Sequence, residues 1–138
     1  MYSISPGQEK ETITVLCTYA ADGRSVRPLI VYPYKRKIPS DVASSVPNGY
    51  ALGHSENGWM TSCTFYEYIV NCFYPQLVTD KVKFPIVIFL DGHKSHVSLE
   101  LSDFCSKHGI LIFCFLSHAT HILQPCDVGI FRPLKIAW

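Results

Sequence analysis

Residues 84–116 read FPIVIFLDGHKSHVSLELSDFCSKHGILIFCFL, and this stretch decides the fold. Phe84 to Leu90 is a continuous apolar run of strand length, the mark of a strand buried on both faces. Val97, Leu101, Phe104 and Cys105 then recur at helical spacing. Ser98 is placed to cap that helix and Gly109 to stop it. Ile110 to Leu116 is a second apolar run, so strand, helix and strand follow one another. Upstream, Thr12 to Ala20 alternates, with Ile13, Val15, Cys17 and Tyr19 on one side and threonines on the other. Asp22-Gly23 supplies the turn of a hairpin whose return strand is Val26 to Tyr32. Pro28 cannot donate to a ladder, which predicts that the return strand lies at a sheet edge.

The rest of the chain fits round these pieces. Pro33 to Gly58, rich in Pro, Gly, Ser and Asn, reads as a long connection; Lys35-Arg36-Lys37 within it reads as a solvated loop. Phe65, Ile69 and Phe73 recur every four residues, with Tyr66, Val70 and Tyr74 beside them, and Pro75 is expected to end that helix. A last amphipathic piece starts near Asp127. Hairpin, helix, strand, helix, strand, helix predicts an α/β layered domain with a mixed sheet.

Composition sets the bounds. The 138 residues are 48% hydrophobic and 17% charged, enough apolar material for one core and too little charge for disorder. A net charge of +1 advertises no general affinity for nucleic acid or membrane. No apolar run approaches the ~20 residues needed to span a bilayer, and Met1 to Glu11 has no secretory core. The six cysteines include no C-x-x-C pair, so reduced, mostly buried thiols are expected.

Ligands of open α/β sheets gather beyond the carboxyl ends of the strands. There the Phe84 strand delivers Asp91, followed by Gly92, His93, Lys94, Ser95 and His96. The Ile110 strand exits through Ser117, His118, Ala119, Thr120 and His121 towards Gln124, Cys126 and Asp127. If the two strands are neighbours, Asp91 and Asp127 can converge, and clustered carboxylates suit Mg²⁺ or Mn²⁺. An isolated aspartate is more often a cap or turn residue, the reading that fits Asp80 and Asp103. Two H-x-x-H pairs, His93 with His96 and His118 with His121, offer a zinc site as the alternative. They sit in turns with no Cys or Glu spaced to complete a zinc pattern, so ligand orientation or phosphate contact is the preferred role for these histidines and Gln124.

Three blocks resemble the DDE superfamily endonucleases of the pogo, Tigger and Jerky type, a transposase-derived domain shared with relatives of centromere protein B. They are the hairpin from Thr14 to Val31; Gly58-Trp59-Met60-Thr61 before the aromatic helix; and Leu90-Asp91-Gly92-His93-Lys94-Ser95-His96 followed by His118 to Phe131. The resemblance implies an RNase H-like fold, with Asp91 as the second catalytic and metal-binding aspartate and Asp127 as the third, 35 residues lying between them. It implies DNA as partner, a nuclear location, and Mg²⁺- or Mn²⁺-assisted phosphoryl transfer by two ions about 3.5–4 Å apart. Two departures are small: Leu116-Ser117 stands where the family has Pro-Pro, and Cys126 where it has Leu.

A third departure is larger. The family's first aspartate lies on a central strand ahead of the hairpin, and Met1 to Glu11 contains no aspartate. The sequence is therefore expected to comprise a short segment, 1–11, and a partial catalytic domain, 12–138, truncated by the central strand. On this expectation it is inactive by itself, and the missing strand comes from an upstream segment or a protein partner. A domesticated DNA- or protein-interaction module is the remaining alternative.

Overall fold

The computed structural model describes residues 12–91, 97–115 and 125–137. Strand β1 (Thr14–Tyr19) and strand β2 (Ser25–Tyr32) form the expected antiparallel hairpin. In its turn, the Asp22 carboxylate accepts from the Arg24 backbone N–H at 3.0 Å and from Arg24 Nε at 2.8 Å. Gly23 takes a φ of +88°, where a side chain is strained. The Arg24 contact holds the Asp22 carboxyl below its usual range.

The edge position expected for β2 is overturned. β2 is central, in the order β1-β2-β3, because β3 (Ala51–His54) pairs with it in parallel from Leu29 onward. Pro28 is tolerated because it sits in a bulge. Leu16 pairs with Leu29 and Thr18 with Val26, so Arg27 and Pro28 together oppose Cys17. The Arg27 backbone groups released by the bulge find side chains instead: its N–H donates to Gln76 Oε1 at 2.9 Å, and its carbonyl accepts from the Tyr68 hydroxyl at 2.8 Å. The connection from Pro33 to Gly58 is thus more ordered than its composition predicts. It holds a short exposed helix, α1 (Ser40–Ser45), as well as β3.

Pro75 does not end the next helix. Helix α2 (Ser62–Tyr68), capped by Thr61 accepting from the Thr64 N–H, runs through a π-helical turn, Ile69–Phe73, into α3 (Tyr74–Thr79). A proline ring inside an α-helix clashes with the carbonyl four residues back and leaves that carbonyl without its donor. Widening the preceding turn relieves this, and the Tyr74 N–H reaches back five residues to the Ile69 carbonyl. The buried stripe of Phe65, Ile69, Phe73 and Leu77 explains why the widening is favourable. Four-residue spacing drifts by about 120° over twelve residues of a 3.6-residue helix, and one extra residue takes up about 100°. The π turn keeps the stripe on the core.

Tyr68 ties this helix to the hairpin. Its hydroxyl donates to the Arg27 carbonyl and lies 3.3 Å from Thr18 Oγ1, and burial pushes its pKa up. In Tyr68→Phe the Arg27 carbonyl loses its donor, and stability is expected to fall by about 1–2 kcal/mol. Urea unfolding followed by circular dichroism measures it; an unchanged midpoint would count against the tie.

Strands β4 (Ile86–Leu90) and β5 (Ile110–Cys114) pair in parallel, Ile86 with Ile110 through Leu90 with Cys114. Helix α4 (Leu99–Lys107) crosses between them, with Ser98 accepting from the Leu101 N–H as its cap and Gly109 at φ +69° beyond its end. Both signals were legible in the sequence. The expectation that these strands are buried on both faces is corrected. Ile86, Ile88 and Ile112 pack against the core with Ile110, whereas Val87, Phe89, Leu111 and Phe113 are each more than half exposed.

The architecture is α/β, and among the described residues the strands form two sheets, the mixed β1-β2-β3 and the parallel β4-β5. A single core of Val26, Leu29, Val31, Phe65, Ile69, Phe73, Leu101 and Ile110 lies under both. Among the described residues β1 pairs with β2 alone and β4 with β5 alone, so each leaves one edge open. The last described residues, 125–137, are helical, with a π turn at Asp127–Phe131 and then α5 (Arg132–Ala137). Pro133 here stands where Pro75 stands after the first π turn.

Candidate functional site

Asp91 follows the last residue of β4 directly, at the carboxyl end of a parallel pair. The ladder carries on past the strand, since the Phe115 N–H donates to the Leu90 carbonyl at 2.8 Å. β5 therefore leaves the sheet level with Asp91, and the neighbour relation on which convergence with Asp127 depends is present. Asp91 is half-buried. An aspartate here is delivered by a rigid element, because Ile86 and Ile88 anchor the strand in the core below it.

Asp127 is the first residue of the second π turn. Such turns recur at functional sites, because the extra residue re-aims side chains around it. The Asp127 side chain lies outside the described residues. So do His93, His96, His118, His121 and Gln124, which fall in 92–96 and 116–124. Among the described residues no group of three His, Cys, Asp or Glu side chains gathers as a metal site.

One polar cleft was missed by sequence reasoning. A cavity of about 510 Å³ opens between β3 and the start of α2, lined by Lys35, His54, Glu56, Cys63, Thr64 and Glu67 among others. His54 Nδ1 is 2.8 Å from the Tyr34 carbonyl, Lys35 Nζ pairs with Glu56 at 3.0 Å, and Cys63 Sγ is 3.9 Å from Glu67 Oε1. The Lys35–Glu56 pair is exposed and its charges offset one another, so the pair gives the cleft no net charge. The strand that walls this cleft gave the sequence no signal, because the four residues of β3, Ala51-Leu52-Gly53-His54, include no β-branched side chain.

The family described as DDE superfamily endonuclease matches residues 9–138, nearly the whole chain. A protein of Cochliobolus lunatus named MFS-type transporter clz9 is 28% identical over 131 residues, which is 95% of this chain and 14% of that protein. That name describes a membrane transporter; no described helix here is long and apolar enough to cross a membrane. No solved structure matches.

Proposed function

The chain belongs to the DDE superfamily endonucleases, and on that premise we propose that residues 1–138 carry the second and third carboxylates of a site for metal-assisted phosphoryl transfer on DNA. Asp91 and Asp127 are the two. The observation that carries the reading is Asp91 itself, a carboxylate held at the carboxyl end of a parallel strand pair inside the matched region. Its oxygens are the hard donors that Mg²⁺ and Mn²⁺ prefer, so the donor chemistry fits those ions. When bound, the metal supplies Lewis acidity towards the phosphoryl oxygens. The chain's own part is to hold Asp91 rigidly at the sheet rim and to bring Asp127 to it on the helix that follows β5. His93, His96, His118, His121 and Gln124 orient these carboxylates or contact phosphate oxygens.

A site of this kind needs a third carboxylate, and we assign it to a strand outside residues 12–138. Among the described residues β1 and β4 each have an edge with no strand partner and both strands contribute to one core, which supports that assignment. Such a strand pairs with both edges and turns two sheets into one. An upstream segment or a protein partner can supply it. DNA as substrate places the work in the nucleus.

Manganese binding to residues 1–138, read by electron paramagnetic resonance, tests the proposal. Weak binding in roughly the millimolar range is expected, lost in Asp91→Asn, with no nicking of supercoiled plasmid. Binding indifferent to Asp91→Asn would remove Asp91 from the site. Nicking by these residues alone, abolished in Asp91→Asn, would show that the set is already complete.

A further inference from the structure

The bulge in β2 does more than admit Pro28. Bulges re-aim side chains and recur beside functional sites. This one borders a cavity of about 310 Å³ lined by Ser25, Val26, Arg27, Pro28, Gly49 and Gln76. Ligand sites run from ~300 to 1,000 Å³, so the space suits a small group. Chemistry fixes the orientation of the Gln76 amide, because only its oxygen can accept from the Arg27 backbone N–H. Its NH₂ is therefore turned away from that bond, and among the described residues nothing accepts from it. The Arg27 side chain is exposed, and its guanidinium makes no hydrogen bond or ion pair among the described residues. Arg24 nearby is already answered by Asp22, 2.7 Å away, and Asp80 adds to that field. None of the described residues lining the cavity is acidic.

We infer that this cavity holds one phosphate oxyanion, bound by the Arg27 guanidinium, the Gln76 NH₂ and the Ser25 hydroxyl. Each of the three donates, and charged phosphate oxygens only accept. A guanidinium fork matches two phosphate oxygens at once, a geometry that a spherical anion cannot use. The main chain of Arg27 is pinned on both sides, by Gln76 and by Tyr68, so its side chain projects from a fixed base. The phosphodiester of a DNA backbone is the source that the proposed function supplies, and that identification alone rests on the proposed function. Free phosphate presents the same oxygens. A contact of this kind fixes the position of a strand without reading its sequence.

Nitrogen–proton correlation NMR of residues 1–138 titrated with inorganic phosphate tests this. The Gln76 NH₂ and Arg27 Nε–H signals are expected to move together and to saturate. Arg27→Met keeps both main-chain bonds of the bulge and is expected to weaken binding about 10-fold or more. Arg36→Met, which removes another exposed arginine, leaves the affinity unchanged. Equal shifts with chloride at the same ionic strength, or equal losses in the two variants, would overturn the inference, because the ion then senses only overall charge. Should Arg27→Met unfold, the wild type decides by itself. Shifts confined to residues 25–28, 49 and 76 support the site, and shifts scattered over the surface lysines sink it. A short DNA duplex separates the two sources. With DNA as ligand the same signals move, and the slope of log affinity against log salt falls by about one in Arg27→Met. Signals that follow phosphate and ignore DNA assign the site to free phosphate. Manganese binding at Asp91 is read separately, so a failure there leaves the phosphate titration standing.

Discussion

A chain carrying Gly58→Ala is expected to lose about 4 kcal/mol or more, a size of effect that marks backbone conflict rather than a lost contact. Gly58 has a φ of +71°, which costs an L residue roughly 1–2 kcal/mol. Steric overlap costs more. A Cβ at Gly58 would fall inside the van der Waals envelope of the Thr12 carbonyl oxygen and 2.9 Å from the Thr12 carbonyl carbon. Neither atom belongs to a flexible side chain, so relief requires the strand entry at Thr12 to move away from the loop before Trp59. Against a domain stability of about 5–15 kcal/mol, that loss removes a large share of the folding free energy. Thermal unfolding by circular dichroism checks it. Gly23→Ala and Gly49→Ala are the controls: both have positive φ, but a Cβ at either meets nothing within 4 Å. They should cost only about 1–2 kcal/mol each, so a Gly58→Ala chain no less stable than these would refute the steric argument.

Leu101→Ala should lower stability by about 3–5 kcal/mol. Leu101 is fully buried, with 0% of its surface exposed, on the face of α4 turned to the core. Its neighbours there include Cys105, Ile110 and the stripe of the long helix. Removing three carbons leaves a cavity that those neighbours cannot fill without dragging α4 off β5. The expected fall in melting temperature is roughly 10–20 °C. Leu99→Ala provides the contrast, because Leu99 lies two residues earlier at 78% exposure and should change stability by less than about 0.5 kcal/mol. Equal effects at the two positions would mean that α4 does not pack as described.

What was legible in the sequence was local. Ser98 and Gly109 mark the ends of α4 because a cap is made by groups three or four residues away. Asp22-Gly23 marks the hairpin for the same reason, and Asp91 stands at a strand end because the apolar run stops there. What was not legible depends on distant residues. Pro28 sits in a central strand only because Gln76 and Tyr68, far along the chain, satisfy the bulge beside it. Pro75 stays inside its helix because Phe73 and Leu77 gain more from burial than a widened turn costs. The outward positions of β4 and β5 carry the same apolar residues as the inward ones, so periodicity alone suggests cover on both faces. The candidate site divides in the same way: the position of Asp91 at a strand end is local, whereas the proposed convergence with Asp127 depends on tertiary structure.

The fastening of the Arg27 bulge also bears on how this molecule is assembled. A hairpin slipped by one residue would offer Gln76 and Tyr68 the wrong backbone groups, so the long helix acts as the proofreader of strand pairing. Those bonds span 49 and 41 residues, and loops of that length close late and slowly. The first hairpin therefore reaches its final alignment only when the helix docks, which makes the N-terminal half a single cooperative unit that folds or melts as a whole.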